Sequence, residues 1–314
     1  MPVDPVLIRR IAGDAGYQPT TLEKVARLEH VLREITQHSE FGAQLALKGG
    51  TAINFVLLPE APRLSVDIDL NFIGAIDRDG MFAARPRVEE FFERIASAQG
   101  YEFAKRASYG LTGWDLSYTN IAGNRDIVKV EINWLLRVPI WQPERVLFRS
   151  VFPGDPSVVT VTAREEVVAG KLAALLGRAA PRDLIDTATL AQHGAMGDHD
   201  RLRAATILLG SFRPDDFRQR LERPHVGDIE EREIRNVLWP TLRRDARPTL
   251  DQLRKACEPV LREILTLGDR ERAYLDEFYE RRRFDPLPLF DGLDANPDLP
   301  QHPMAAWRLR EGES

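Results

Sequence analysis

The chain changes from mixed patterns in its first half to helical patterns in its second half. Residues 21–38 place apolar side chains three or four positions apart, and this spacing predicts an amphipathic helix. Residues 85–100 show the same spacing and predict another helix. Four shorter segments alternate apolar and polar residues, with β-branched and aromatic side chains, and predict strands. These segments are 63–74, 101–108, 112–120 and 125–134.

Nearly every segment after about residue 161 has helical spacing. Thr162 and Glu165 have the spacing of a capping box and predict the start of a helix that runs to Leu176. A Pro-Gly-Asp-Pro stretch at 153–156 interrupts the patterns just before this helix, so we place a domain boundary there. The sequence therefore predicts an α+β fold with two domains. Residues 1–157 form a mixed sheet flanked by helices, and residues 158–314 form a helical C-terminal domain.

A glycine pair joins a predicted strand to a predicted helix. The apolar run at 45–48 predicts the strand, Gly49 and Gly50 predict a turn, and 51–58 predict the helix. Such a turn presents backbone N–H groups and the positive end of a helix dipole to an anion, without Cβ atoms that would block its approach. We therefore expect Gly49 and Gly50 to bind a phosphate group, with a hydroxyl added by Thr51.

Two carboxylates lie within the predicted strand 63–74. Because strand side chains alternate between faces, Asp67 and Asp69 share a face with Arg63 and Ser65 and lie about 6.6 Å apart along the backbone. At a separation of about 4 Å and an effective dielectric constant near 20, two such charges repel by about 4 kcal/mol. A partly buried pair therefore needs a cation, a proton or basic partners. The alternative interpretation, which is more common for this pattern alone, is a polar or salt-bridged strand edge.

Glu131 offers a third carboxylate, between two apolar residues of the predicted strand 125–134. If this strand lies beside 63–74, the three carboxylates meet. Oxygen ligands without nearby His or Cys suit a hard divalent ion, Mg²⁺ or Mn²⁺. Two such ions about 4 Å apart can hold the attacking and leaving oxygens of phosphoryl or nucleotidyl transfer. The order of Gly-Gly, Asp-x-Asp and Glu therefore favours a metal site made of Asp67, Asp69 and Glu131.

Basic side chains are concentrated in a predicted helix–turn–helix over 171–190. Lys171 and Arg178 are two helical turns apart on one face, and Arg182 precedes Asp186 by four residues. One interpretation is an intramolecular salt-bridge network. The other is a set of cations directed at a nucleotide phosphate and ordered by the acidic residues.

The composition excludes several classes of protein. The net charge of −5 argues against nonspecific coating of nucleic acid, although two local basic clusters remain candidate surfaces. A single cysteine and the absence of His-x-x-x-His spacing exclude a disulfide framework and argue against a zinc hydrolase. No apolar run reaches the roughly 18 residues of a membrane span and the start lacks a signal-peptide pattern, so we expect a cytoplasmic protein without membrane contact. The basic clusters are Arg243, Arg244 and Arg247, and Arg281, Arg282 and Arg283.

Four stretches of the sequence together resemble the AbiEii/MenT family of toxin nucleotidyltransferases, which have a polymerase-β-like core. They are LKGGTAINF, RLSVDIDLNF, VKVEINW and KLAALLGRAAPRDLIDTATL. The resemblance implies a metal-dependent enzyme that transfers a nucleotide from a nucleoside triphosphate (NTP) to an acceptor. For the MenT branch this acceptor is the 3′ end of tRNA, and the modification halts translation. The resemblance also implies a partner antitoxin of the AbiEi/MenA type.

The resemblance assigns roles to the residues already selected. Asp67 and Asp69 become the metal ligands, and Glu131 matches a third carboxylate that helps to deprotonate the acceptor hydroxyl. Lys171 contacts the nucleotide and neutralises developing phosphate charge, and Asp186 is the acid of the last motif. The predicted nucleotide site comprises Gly49, Gly50, Thr51, Ser65, Lys171, Arg178 and Arg182.

Two alternatives to this function stay open. The same core could serve a protein nucleotidylyltransferase or a kinase, which would modify a protein instead of RNA. A pseudoenzyme that only binds a nucleotide would be expected to have lost some ligands, whereas this sequence retains Asp-x-Asp, a third acid and the lysine.

Overall fold

The computed structural model describes residues 4–150, 152 and 157–311. The Pro-Gly-Asp-Pro stretch at 153–156, on which the predicted domain boundary depends, lies outside the described residues. The chain divides into two compact units, each assembled from more than one stretch. Of the described residues, those within Met1–Arg137, Pro143–Val161 and Trp239–Arg247 form the first unit, and those within Val138–Gln142, Thr162–Leu238 and Pro248–Ser314 form the second.

The described part of the first unit contains a seven-stranded mixed sheet. Its strands are β1 (Leu45–Lys48), β2 (Asp67–Phe72), β3 (Glu102–Ala107), β4 (Leu111–Thr119), β5 (Arg125–Asn133), β6 (Glu144–Phe148) and β7 (Ser157–Val161). They lie side by side in the order β3-β4-β5-β2-β1-β7-β6. β2 is parallel to β5 and β1 is parallel to β7, and the other neighbours are antiparallel. β2 therefore lies at the centre of the sheet, between β5 and β1.

Helices pack on this sheet and on one another. They are α1 (Pro5–Ala15), α2 (Pro19–Gln37), α3 (Phe41–Gln44), α4 (Gly49–Ala52) and α5 (Arg78–Ala98), and α4 continues as a π-helical turn over Ile53–Leu57. α2 confirms the helix predicted over 21–38, and its apolar stripe is buried. It contacts both β2 and β5, whose side chains at Ile68, Leu70, Val130 and Ile132 are also buried. Removal of this apolar surface from water stabilises the first unit.

The regular structure in the described part of the second unit is helical, joined by loops. Its helices are α6 (Arg164–Arg178), α7 (Pro181–Gln192), α8 (His199–Ser211), α9 (Phe217–Glu222), α10 (Glu231–Glu233), α11 (Leu250–Leu265), α12 (Asp269–Tyr279) and α13 (Pro303–Glu311). α6 packs against α7 and α8, and α7 packs against α11. The prediction that the chain after about residue 161 is helical is thereby confirmed.

The strand predicted over 63–74 is wrong at its beginning, because β2 starts only at Asp67. The backbone N–H of Leu64 donates to the Thr241 carbonyl at 2.9 Å, and that of Ser65 donates to Asn54 Oδ1. These residues therefore make their hydrogen bonds outside the ladder that neighbouring strands would provide. β6 and β7 were not predicted from the sequence.

The capping box predicted at Thr162 and Glu165 is also wrong. α6 begins at Arg164, and its N-cap is Ala163, which makes no side-chain hydrogen bond to the helix. Thr162 follows β7 directly and is buried, and among the described residues no hydrogen-bond partner meets its hydroxyl. Glu165 instead accepts a hydrogen bond from the backbone N–H of Asp198 at 3.2 Å. Burial of the threonine has thus overridden a local capping preference.

The predicted fold class is confirmed, with a mixed sheet flanked by helices and a helical second unit. The division into domains at 157/158 stays a prediction. The compact units differ from the predicted domains at three places. Residues 158–161 and Trp239–Arg247 belong to the first unit, and Val138–Gln142 belongs to the second. Within the described chain, no helix combines the length and apolarity needed to cross a membrane.

Candidate active site

Three carboxylates share one face at the centre of the sheet. In the register of the strands, Asp69 lies between Lys48 on β1 and Glu131 on β5, and Asp67 lies beside Lys129 on β5. Because side chains alternate along a strand, Asp67, Asp69 and Glu131 project from the same face, and neighbouring strands are only about 4.8 Å apart. All three are partly exposed. The prediction that the Glu131 strand lies beside the Asp-x-Asp strand is confirmed.

Gly49 brings the backbone against one of these carboxylates. Its φ of +69° lies in the left-handed region that favours glycine. A Cβ atom at this position would lie 2.6 Å from Asp69 Oδ2 and 3.3 Å from Asp69 Cβ. Both the backbone conformation and the room for Asp69 therefore require glycine. The glycine motif and the Asp-x-Asp motif are in direct contact.

Gly50 is packed equally closely, but against different side chains. A Cβ atom there would lie 2.6 Å from Arg63 Nη2 and 2.8 Å from Ser65 Oγ. Arg63 is only 5% exposed, and its Nη1 donates to the Leu64 carbonyl at 3.1 Å. Arg63 was not predicted to be a site residue, although its position on the same face of the predicted strand as Asp67 was an available signal. The second glycine thus makes room for a buried guanidinium group.

A network of polar side chains holds the backbone at the start of β2. The buried Thr51 hydroxyl donates to the main-chain carbonyl of Asp67 and lies 3.1 Å from Ser65 Oγ. Ser65 donates its backbone N–H to Asn54 Oδ1. These contacts join α4 and the following π-helical turn to the first carboxylate of the site. Thr51 therefore has a structural contact with Asp67, and its predicted contact with the nucleotide stays a prediction.

An ion pair on β3 and β4 lies on the same face of the sheet as Glu131. Arg106 on β3 donates to both carboxylate oxygens of Asp115 on β4, with Nη2 3.1 Å from Oδ1. The hydrogen bond to Asp115 is the largest cause of the raised pKa of the Arg106 guanidinium, and the charge of Glu131 contributes less. The same hydrogen bond lowers the pKa of Asp115. Arg106 thus neutralises mainly the charge of Asp115, so another cation can bind the carboxylate of Glu131.

Lys171 joins two buried carboxylates in the second unit. Its Nζ lies 2.9 Å from Asp186 Oδ2 and 3.3 Å from Asp183 Oδ1. Arg178 donates two hydrogen bonds to Asp183, at 2.7 and 3.0 Å. The side chains of Asp183 and Asp186 are 0% and 2% exposed. The structure therefore brings together Lys171, Arg178 and Asp186 around α6 and α7, as an ion-pair network.

The predictions from the sequence treated two adjacent residues at the start of α7, Arg182 and Asp183, differently. Asp183 was not selected as a site residue, although it is the acid that both Lys171 and Arg178 bind. Its position directly after Arg182, at the start of α7, could have indicated from the sequence that Asp183 pairs with basic side chains. Arg182 itself is exposed, and its predicted contact with a nucleotide stays a prediction.

The carboxylates on the sheet fit a hard divalent ion as a donor set. They supply oxygen ligands only, because β2 and β5 contain neither His nor Cys. In the described part of the chain, no group of three or more His, Cys, Asp or Glu side chains is already arranged to hold a metal ion. Mg²⁺ commonly uses one or two protein carboxylates together with substrate phosphates and water. The arrangement therefore suits an ion that binds with its substrate, and the metal roles of Asp67, Asp69 and Glu131 stay predictions.

Comparison with known proteins gives matches over most of the chain. A family model described as the nucleotidyl transferase AbiEii toxin of a type IV toxin–antitoxin system matches residues 30–281. The solved structure of MenT4, a nucleotidyltransferase toxin from Mycobacterium tuberculosis H37Rv, is similar in fold, with a TM-score of 0.63 and 20% sequence identity. The similarity covers 89% of this chain and 96% of that chain. The search of curated protein sequences gave no match.

The matched range contains every predicted site residue, from Gly49 to Asp186. The similarity to MenT4 confirms the predicted nucleotidyltransferase fold. The family reaction implies an NTP substrate and, in general, a divalent metal, and the type IV system implies an antitoxin partner. This chain therefore belongs to the AbiEii family of nucleotidyltransferase toxins from type IV toxin–antitoxin systems.

Proposed function

We propose that this toxin transfers nucleotides from an NTP to the 3′ end of tRNA in the cytoplasm, with release of pyrophosphate, and thereby blocks translation. The observation that carries the proposal is the placement of Asp67, Asp69 and Glu131 on one face of the sheet, with Gly49 packed against Asp69. Nucleotidyl transfer needs acidic ligands for a cation beside a backbone that a triphosphate can approach closely, and these residues provide both. The partner antitoxin in this proposal is of the AbiEi/MenA type.

The acidic residues hold the cation. Asp67, Asp69 and Glu131 would bind Mg²⁺ or Mn²⁺, which when bound neutralises charge on the phosphate oxygens. Thr51 fixes the main chain at Asp67 through its buried hydroxyl, so this carboxylate is held in place before substrate arrives. Glu131, directly beside Asp69, helps to remove the proton from the acceptor hydroxyl.

The glycine pair and the basic residues bind the triphosphate. Gly49 and Gly50 let phosphate oxygens approach the backbone N–H groups, and Ser65 lies against Gly50. Lys171 neutralises the charge that develops during transfer. Asp186 and Asp183 orient its ammonium group through ion pairs of 2.9 and 3.3 Å. The nucleotide contacts are completed by Arg178 and Arg182.

A transfer assay tests this proposal. The purified protein is incubated with total tRNA, Mg²⁺ or Mn²⁺ and each of the four α-labelled NTPs in turn. We expect label on tRNA with at least one NTP, and loss of that label with Asp67→Asn and Asp69→Asn. Asp115→Asn is the matched control, because Asp115 lies on the same sheet face but pairs with Arg106. Periodate-oxidised tRNA, which lacks the 3′ diol, should accept no label.

Three results would reject the proposal. Label on protein would instead assign a protein nucleotidylyltransferase. Binding of NTP without transfer under either metal would assign a pseudoenzyme. Labelling of periodate-oxidised tRNA would show that the acceptor is not the 3′ end.

A further inference from the structure

Residues Trp239–Arg247 belong to the first unit and pair with the segment that leads into β2. The backbone N–H of Leu64 donates to the Thr241 carbonyl at 2.9 Å. Leu242 is completely buried and forms an antiparallel bridge with Arg63. The segment is therefore anchored beside the residues that precede the Asp-x-Asp motif.

Three arginines of this segment, Arg243, Arg244 and Arg247, form what we call the arginine strip. The backbone N–H of Arg243 donates to the Pro62 carbonyl at 3.1 Å, and that of Arg244 donates to the Gly16 carbonyl at 3.0 Å. Because these hydrogen bonds use main-chain atoms, the guanidinium groups are carried on a fixed backbone. A fixed backbone lowers the entropy cost of binding an extended ligand.

The strip carries more positive than negative charge at the surface. Arg244 is exposed, and within the described chain no acidic side chain pairs with it. Arg243 has a side chain that is 38% exposed and pairs with Asp245 at 3.3 Å, and Asp245 is itself 75% exposed. Arg247 lies over the ring of Trp239, with its Cζ 5.0 Å from the ring centroid. Phosphate can therefore reach the first two arginines from solvent.

The second basic cluster, Arg281, Arg282 and Arg283, is different because acidic side chains pair with its first and third members, and the second donates to main-chain carbonyls of α13. Glu277 pairs with Arg281, and it also lies 3.9 Å from Arg283. Asp285 lies 3.6 Å from Arg283. A protein with a net charge of −5 has no overall attraction for nucleic acid, so a local uncompensated cluster must supply it. Of the two clusters, the arginine strip fits this need.

We propose that the arginine strip binds phosphate groups of the RNA acceptor, upstream of the 3′ end that is modified. This inference rests on the proposed function, because it takes RNA as the acceptor. Leu64, to which the strip is bonded, precedes Asp67 by three residues, or about 10 Å of extended chain. An RNA strand with its 3′ end at the carboxylates thus has its preceding phosphates within reach of Arg243 and Arg244.

Salt-dependent RNA binding tests the strip. A short single-stranded RNA with a fluorescent 5′ label is titrated with the full-length protein, without NTP, at several salt concentrations, and anisotropy gives the Kd. Each phosphate contact to a single strand contributes about 0.7 to the slope of log K against log salt, or about fivefold in affinity near 0.1 M salt. We expect Arg243→Gln/Arg244→Gln to bind about 25-fold more weakly, with a slope smaller by about 1.4. Arg244→Gln alone, at an exposed side chain, should weaken binding about fivefold.

Arg281→Gln/Arg283→Gln is the matched control, and it should change Kd by less than about twofold because both arginines are already paired. Unchanged affinity and slope in both strip variants would overturn the inference while leaving the proposed function standing. Absence of binding to this RNA by the unsubstituted protein would overturn the inference, whereas the transfer assay alone decides the proposed function. The same titration with labelled poly-glutamate tests an acidic protein segment as the ligand. If the strip variants lose binding to poly-glutamate but bind RNA as before, the strip binds an acidic segment and the inference is overturned.

Discussion

Replacement of Gly49 by alanine adds a methyl group where the structure leaves no room for it. The backbone φ of +69° costs an L-residue roughly 1–2 kcal/mol. The new Cβ would also lie 2.6 Å from Asp69 Oδ2. To restore an ordinary contact the carboxylate must move about 0.8 Å, and a displacement of about 1 Å at a reacting site costs about 10²-fold in rate.

Gly100→Ala separates these two effects. Gly100 has a similar φ of +76°, but a Cβ atom there meets nothing within 4 Å. Both variants should therefore lose roughly 1–2 kcal/mol of unfolding free energy, because both carry the same backbone strain. Only Gly49→Ala should displace Asp69, so only this variant should lose about 100-fold in kcat/KM for nucleotide transfer.

Urea denaturation measures the first quantity, and initial rates of transfer measure the second. Activity of Gly49→Ala equal to that of Gly100→Ala would refute the reasoning, because it would mean that the position of Asp69 does not limit transfer. A much larger loss of stability in Gly49→Ala would also contradict it. That result would mean that the carboxylate cannot yield and that the added methyl group strains the sheet instead.

Two further predictions concern the second unit. Lys171→Met removes the ammonium group that pairs with Asp183 and Asp186, so the unfolding free energy should fall by about 3 kcal/mol, near the low end for a buried ion pair because Arg178 still binds Asp183. Thermal denaturation tests this against Lys255→Met, which removes an exposed lysine, and equal stability of the two variants would contradict it. Burial raises the pKa of the Cys257 thiol from about 9 to about 12, so the unfolded chain releases this proton at lower pH than the folded chain. Stability should therefore fall as pH rises from 9 towards 12, and Cys257→Ala should remove part of this fall; identical pH profiles in denaturation experiments would show the reasoning to be wrong.

Local patterns were sufficient to predict the elements that carry the acidic residues. Asp67, Asp69 and Glu131 alternate with apolar residues at a period of two, which is a property of neighbouring positions only. The stripe of α2 likewise recurs within one element and is buried as predicted. The shared face of the three carboxylates followed once β2 and β5 were taken to be neighbours.

Contacts between distant positions could not be predicted in this way. Spacing alone gives no indication that Arg63 packs against Gly50, or that Thr241 accepts a hydrogen bond from Leu64. The false start of the strand at 63–74 has this origin, because partners elsewhere in the chain take up its backbone groups. The capping box at Thr162 failed for a related reason, since tertiary burial decided the orientation of its side chain.

The path of the chain through the two units has a consequence for synthesis on the ribosome. Translation produces the N-terminal part first, and domains generally fold as they emerge. Here, however, the backbone N–H of Leu64 has its hydrogen-bond partner at Thr241, and the first unit is complete only when Trp239–Arg247 has been made. A nascent chain that ends between Glu131 and Trp239 therefore contains all three carboxylates but lacks the segment that anchors the residues leading into β2. Assembly of the toxin's acidic face is thus coupled to synthesis of most of the second unit.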